Sequence, residues 1–298
     1  MITTYIPSFN RPELLLARTL SWIGDTGYKW YVIVHGDEQY RLYRQAGIPG
    51  KRLIATSIPS GLPNSLTLQN NHTHAHIADT GDWFVHIDDD LKLATSMPIK
   101  YYDWEVDQKV EDLKANWDRA FSLEWRKNYA LPITFASFME EVVPLCIAQA
   151  EMRGANLIGH AVGSNYYFRS KHWRDVGYVC GGLRIIRNTG VKRVADITIE
   201  DAAFTAAHLQ HYGRVLLNNY MYFGFDIFQP DGQGTLEERI SPRAVSIERL
   251  VALYPGLWRV KVKKLKGIAY DNVQLRYYST KQIAKWREEM RKPKPWFE

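Results

Sequence analysis

Over the first ninety residues, short β-branched and aromatic runs alternate with segments of helical period, and this alternation constrains the fold more than any other feature. Residues 2–7, 30–35, 53–56 and 83–87 read as strands. Residues 13–23, 37–46 and 65–78 read as helices, with Pro12 suited to a first turn and Gly47 to a helix end. Strands alternating with helices predict an α/β fold: a Rossmann-like, mostly parallel sheet flanked by helices and joined by right-handed crossovers. After Leu91 the rhythm changes. Residues 101–128, dense in charge and Trp, read as the heart of an insertion spanning about 95–150. Residues 137–153 follow as a helix, with Ser137 and Glu140 spaced as a capping box. A strand over 157–169, a helix over 199–212 closed by Gly213, and short strands at 215–217 and 221–225 complete a first domain, 1–240. Residues 241–298 form a basic, helical C-terminal extension that carries Lys261–Lys266 and a helix and tail over 281–294.

Hydrophobic residues make up 46% of the 298 and charged residues 23%, which sustains a core and excludes a disordered chain. The two cysteines, Cys146 and Cys180, cannot build a disulfide scaffold or a four-cysteine zinc site, and both are expected to be buried and inert. No apolar run reaches the roughly 18 residues of a membrane span, and no signal peptide is visible at the start. A protein of a reducing cytoplasm with no membrane partner is expected. Lys and Arg outnumber Asp and Glu by 38 to 32, a balance compatible with phosphate-bearing partners.

The sharpest chemical signal is Trp83–Ile87 running into Asp88, Asp89 and Asp90. In open α/β sheets, ligands bind beyond the carboxyl ends of the strands. Asp88 and Asp90 point to one side of an extended backbone, where paired carboxylates hold a hard cation such as Mg2+ or Mn2+ that can bind a diphosphate. A second signal is Glu200-Asp201 at a helix start, where either acid can serve as general base or simply stabilise the helix. A third is Pro7-Ser8-Phe9-Asn10-Arg11-Pro12 after the first strand, a turn suited to a nucleotide or phosphate. The His72, His74, His76 cluster places only His72 and His76 on one helical face and reads as a polar surface.

Together and in this order, the three motifs resemble glycosyltransferases of the GT-A fold. The resemblance covers about residues 2–90 and 155–226. It implies a nucleotide-sugar donor, a UDP-sugar first, between Pro7, Ser8, Asn10, Arg11 and the triplet. Asp88 and Asp89 contact the donor, and Asp88 and Asp90 hold the divalent cation. Asp201, or Glu200 beside it, is the base. Gly163–Arg169, with Val176-Gly177, resembles the segment under the donor sugar, and its Asn165 and Tyr166 are assigned to the acceptor. Three departures stand out. Asn70-Asn71 replaces a common Arg-Asn, the acid ending the second strand is displaced to Asp37, and no His follows His211, which passes that metal role to Asp226.

Within the fold, the chain is most similar to phage glycosyltransferases associated with TET-type dioxygenases, which glycosylate hydroxymethylated pyrimidines in DNA. The shared residues are Ile6-Pro7-Ser8, Arg11-Pro12-Glu13, a Tyr-x-x-Tyr helix ending at Ala46-Gly47-Ile48, Gly61-Leu62 and Asp82-Trp83. This implies a DNA acceptor in a phage-infected bacterial cell. Lys263 and Lys264 would meet its phosphates, and Trp286 would stack on an exposed base. A small-molecule, lipid-linked or protein acceptor, or a non-catalytic nucleic-acid-binding protein, are the competing readings.

Overall fold

The computed structural model describes residues 2–59, 65–77, 79, 81–96, 131–162, 173–194, 197–225, 236–265 and 268–291. Segment 101–128, Asn165, Tyr166 and Asp226 lie outside the described residues. Twelve strands are described: β1 Thr3–Pro7, β2 Trp30–His35, β3 Leu53–Thr56, β4 Trp83–Ile87, β5 Leu91–Ser96, β6 Leu131–Pro132, β7 Leu157–Val162, β8 Trp173–Arg174, β9 Leu183–Arg187, β10 Leu216–Phe225, β11 Trp258–Leu265 and β12 Ile268–Leu275. The helices are α1 (12–23), α2 (Gly36–Gln45), α3 (65–77), α4 (135–153), α5 (Glu200–Tyr212), α6 (Leu236–Leu253) and α7 (Thr280–Arg291). A π-helical turn interrupts each of α1, α3 and α4.

Ten strands form one mixed sheet in the order β3-β2-β1-β4-β9-β7-β10-β5-β6, with β8 on β10. Its first four strands are parallel, as the alternation predicts. β9 then runs antiparallel to both β4 and β7. Period-2 alternation sends successive side chains to opposite faces. Ile6, Val32, Val34, Val85, Ile87 and Ile185 join one core with residues of α1 and α4. Tyr5, Ile33, Phe84 and Ile186 join the other, with residues of α5, α6 and α7. Helices therefore cover both faces, the arrangement that a buried sheet of this kind requires.

Several expectations change in detail. The helix read from Ser137 starts at Phe135, and its N-cap is Thr134, whose hydroxyl accepts from the Ser137 backbone N–H at 3.1 Å. Phe135, Phe138, Val142, Cys146 and Ala150, placed by sequence in the insertion, are core residues. The two short strands at 215–225 are one strand, β10, whose register against β7 shifts between Asn218 and Tyr222. The C-terminal region adds an antiparallel hairpin, β11–β12, to the expected helix α7. This region is packed on the sheet, because Ile247, Leu250, Trp258, Ile283 and Trp286 share a core with Tyr5 and Phe84. No helix among the described residues is long and apolar enough to cross a membrane.

Candidate active site

β1 and β4 are parallel neighbours, so the turn after β1 and the triplet after β4 emerge side by side. Asp89 turns inward and is 1% exposed. It accepts from the Ser8 hydroxyl at 2.5 Å and pairs with the Arg11 guanidinium. The Tyr43 hydroxyl of α2 lies 2.5 Å from Ser8 Oγ and accepts from the Arg11 backbone N–H at 3.2 Å. Gln39, also on α2, donates to Asn10 Oδ1 at 2.8 Å and accepts from the Asn10 backbone at 2.9 Å. That bracket holds Asn10 at φ 57°, a left-handed conformation that Asn tolerates better than most residues. The triplet's backbone is pinned as well. Thr19 of α1 donates to the Asp88 carbonyl at 2.7 Å and accepts from Leu91 N–H at 3.1 Å, and Asp88 N–H donates to the Gly182 carbonyl at 2.9 Å.

With Asp89 inward, Asp88 and Asp90, in the turn after β4, keep part-exposed side chains, 36% and 13%. Asp89, Ser8 and Pro7 are buried, and Asp89 and Ser8 are committed to each other. Buried in this way, the three offer a ligand no free surface, whereas the resemblance implied a donor contact for each of them. Asn10 and Arg11 stay accessible at the turn, and Asp37 is exposed in the first turn of α2. Burial raises all three carboxyls of the triplet, and the charge of Asp88 adds to it at Asp89 and Asp90, Asp89 reaching about 6 and Asp90 about 7. Arg11, 3.7 Å from Asp90, and Arg184, which acts on Asp88, offset part of this charge, yet the carboxyls stay raised. A hard divalent cation between Asp88 and Asp90 would offset the rest, so the oxygen donor set fits Mg2+ or Mn2+. No group of three or more His, Cys, Asp or Glu gathers around a metal position among the described residues.

The second acid motif stands across a glycine floor. A Cβ on Gly181 would meet Glu200 Oε1 at 3.7 Å and Asp201 Cβ at 3.8 Å. One on Gly182 would overlap the Phe225 ring at 2.2 Å, so Gly182 is needed for that close approach. Glu200 and Asp201 are neighbours with opposite fates. Glu200 is buried between two arginines, with Oε1 3.1 Å from Arg184 and Oε2 against Arg193 Nε. Burial would push its carboxyl up, but Arg184 and Arg193 outweigh it and hold it at about 2. Asp201 is half-buried. Its burial and the charge of Glu200 raise its carboxyl above the ordinary range. A charged network links the two motifs: Arg184 lies 3.0 Å from His86 Nε2, which lies 3.4 Å from Asp88 Oδ1.

Sequence reading missed Arg184, Arg193, His86 and Tyr178. The available signal was a charge inside an apolar run, Arg184 in LRIIR and His86 in WFVHI. The β4–β9 register sets these two directly opposite one another. Within the histidine cluster, His74 is not on a polar surface: it is buried, 3.2 Å from Arg193. Trp286 is 2% exposed and donates its indole N–H to the Pro255 carbonyl at 2.8 Å, so it is a core residue and offers no ring to a base. Lys263 and Lys264 are exposed on β11. Cys146 is buried as expected, whereas Cys180 is half-buried beside the site.

No family model matches the chain, and no curated protein matches it. Thirty-one solved chains match it in fold, among them the two that follow. A mannosyltransferase from Pyrobaculum calidifontis in complex with GDP-Man and Mn2+ is 14% identical, over 85% of this chain and 63% of that one, with a TM-score of 0.46. The chain thus spans less than two thirds of that protein. Mannosyl-3-phosphoglycerate synthase from Rubrobacter xylanophilus is 10% identical, over 93% of this chain and 87% of that one, with a TM-score of 0.40.

Proposed function

We propose that the chain is a metal-dependent glycosyltransferase that moves a sugar from a nucleotide-sugar donor, a UDP-sugar first, to a hydroxymethylated pyrimidine in DNA, as a phage hypermodification enzyme acting in the infected cell. The observation that carries the transferase reading is the placement of Asp88 and Asp90, part-exposed and only partly offset by Arg11 and Arg184, across Gly181-Gly182 from the half-buried Asp201. A cation held by Asp88 and Asp90 would supply charge neutralisation for a departing diphosphate. Asp226 is proposed as a further ligand. Arg11 and Asn10 line the donor turn with Asp37 beside them, and Ser8, Pro7 and Asp89 hold its shape. Asp201 is the stronger candidate for the base, because Glu200 is locked to two arginines and is a weak proton acceptor. Support for a nucleic-acid acceptor comes from the exposed cations Arg259, Lys261, Lys263 and Lys264 on one strand. Asn165 and Tyr166 remain proposed acceptor contacts.

The test is thermal shift with UDP and with GDP, each with Mn2+ and with or without EDTA, on wild type and Asp90→Ala. A metal-dependent rise that Asp90→Ala abolishes is expected, and no rise with either nucleotide refutes the transferase reading. Mass spectrometry of nucleosides from hydroxymethylated DNA incubated with a panel of nucleotide sugars tests the acceptor. A new glycosylated nucleoside supports DNA, whereas transfer to small hydroxyl compounds alone refutes it.

A further inference from the structure

Both carboxylate oxygens of Asp201 are engaged. Oδ1 accepts from the Ala202 backbone N–H at 2.9 Å, and Oδ2 accepts from the Tyr178 hydroxyl. Tyr178 lies on the extended segment between β8 and β9, and its neighbours fix it there. Val176 and Val179 are buried core residues. Val179 N–H donates to Thr205 Oγ1 at 3.2 Å, and the same hydroxyl lies 3.3 Å from the Val179 carbonyl. Thr205 is one turn along α5 from Asp201, so a single helix holds the acid and the segment that bears its partner. The far side of the Tyr178 ring meets Trp258 edge-on, with centroids 6.0 Å apart and planes at 89°. Trp258 is 2% exposed at the root of the β11–β12 hairpin.

We propose that Tyr178 positions Asp201 for proton abstraction and that Trp258 holds Tyr178 in place, which makes the root of the C-terminal hairpin a structural part of the acceptor side. This rests on the reading of Asp201 as the base. The acceptor O–H bond breaks and a carboxyl O–H forms on Asp201. The electron pair stays on the acceptor oxygen, which bonds to the sugar carbon as the diphosphate leaves with its own pair. Tyr178 keeps its proton throughout, since burial and then the charge of Asp201 hold its phenol well above the usual range. A donor to the ionised carboxylate favours that form, so Tyr178 keeps Asp201 more acidic than its burial would. The charged and titratable groups acting on Asp201 are Tyr178 and Cys180 from the preceding segment, Arg184 of β9, Arg193 of the segment before α5, Glu200 of its own helix and Arg243 of α6.

The test uses full-length Tyr178→Phe, which keeps the ring and removes the donor, and Trp258→Phe, which keeps an edge for it. Asp201 is titrated by 13C resonance in protein labelled at aspartate carboxyls and assigned by its loss in Asp201→Asn. Tyr178→Phe should move that titration up by about one pH unit. It should also shift the acid limb of the kcat–pH profile upward and lower kcat about ten- to a hundredfold at unchanged donor KM. Trp258→Phe should stay close to wild type, and Trp258→Ala should follow Tyr178→Phe. Transfer retained by Asp201→Asn overturns the base reading and the positioning role with it. An inactive Asp201→Asn beside a folded Tyr178→Phe of wild-type titration and pH profile overturns the positioning role alone.

Discussion

Replacing Glu200 by Gln tests the division of labour within the acid pair. The carboxylate of Glu200 is 6% exposed and meets Arg184 and Arg193, both buried. Removing its charge leaves two guanidinium ions in the core without their counter-ion. Breaking a buried pair in this way costs about 3–5 kcal/mol. A carboxyl held at about 2 contributes a comparable amount at neutral pH, about 3 kcal/mol. With an unfolding entropy of about 2.1 cal/mol/K per residue over this length, Glu200→Gln should lower Tm by about 5–8 °C. Because the folded value is depressed, the contribution is complete above the unfolded value, near 4, and is lost as pH falls through the folded one. The gap between wild type and variant, read by differential scanning calorimetry, should be full at pH 7 and should close as pH falls from about 4 towards about 2. A variant melting within about 2 °C of wild type at pH 7, or a gap that persists in acid, refutes a charged Glu200 as the tie between the arginines.

Asp201→Asn should leave Tm and nucleotide affinity near wild type while lowering turnover about 10²- to 10⁴-fold, and calorimetry beside steady-state kinetics checks this. Burial pushes both Cys146 and Cys180 thiols up to about 12, so roughly 10⁻⁴ of either is thiolate at pH 8. DTNB should therefore find no fast-reacting thiol in the native protein and two after denaturation. Neither ring nitrogen of His160 has a hydrogen-bond partner among the described residues, and its ring packs edge-on to Phe223 at 5.3 Å. Replacing it with Phe should raise stability by about 1–2 kcal/mol in urea unfolding, because a buried unsatisfied polar group is removed.

The parallel half of the sheet was legible because its strands are apolar on both faces and each helix follows at its own period. Gly47 and Gly213, each with positive φ, end helices where the sequence placed those ends. The triplet lies in the turn after β4, where Ser8 and Arg11 hold Asp89 inward and leave Asp88 and Asp90 part-exposed. What the sequence hid was long-range. That Ser8 and Arg11 hold Asp89 depends on β1 pairing with β4, and that Arg184 reaches Glu200 depends on β9 pairing antiparallel with β4. Trp286 was misread because a Trp among Lys and Arg looks exposed, whereas α7 turns that one position inward with Ile283. The β11–β12 hairpin escaped notice because WRVKVKKL was read for its charge and not for its period-two alternation.

The order of strands in the sheet also bears on how the protein is made. The clamp of Ser8 and Arg11 on Asp89 closes entirely within the first ninety residues, so the parallel half can assemble while the rest is still being synthesised. The partner for the other edge of β4 arrives only with Leu183–Arg187, about a hundred residues later. At about 5–20 residues per second that interval lasts roughly 5–20 s. Throughout it an apolar strand, Trp83–Ile87, presents a row of unpaired amides and carbonyls to the cell. The segment that ends in the triplet is thus the one most open to pairing with the wrong chain. Soluble yield should respond to expression temperature and translation rate more steeply than the stability of the finished fold suggests.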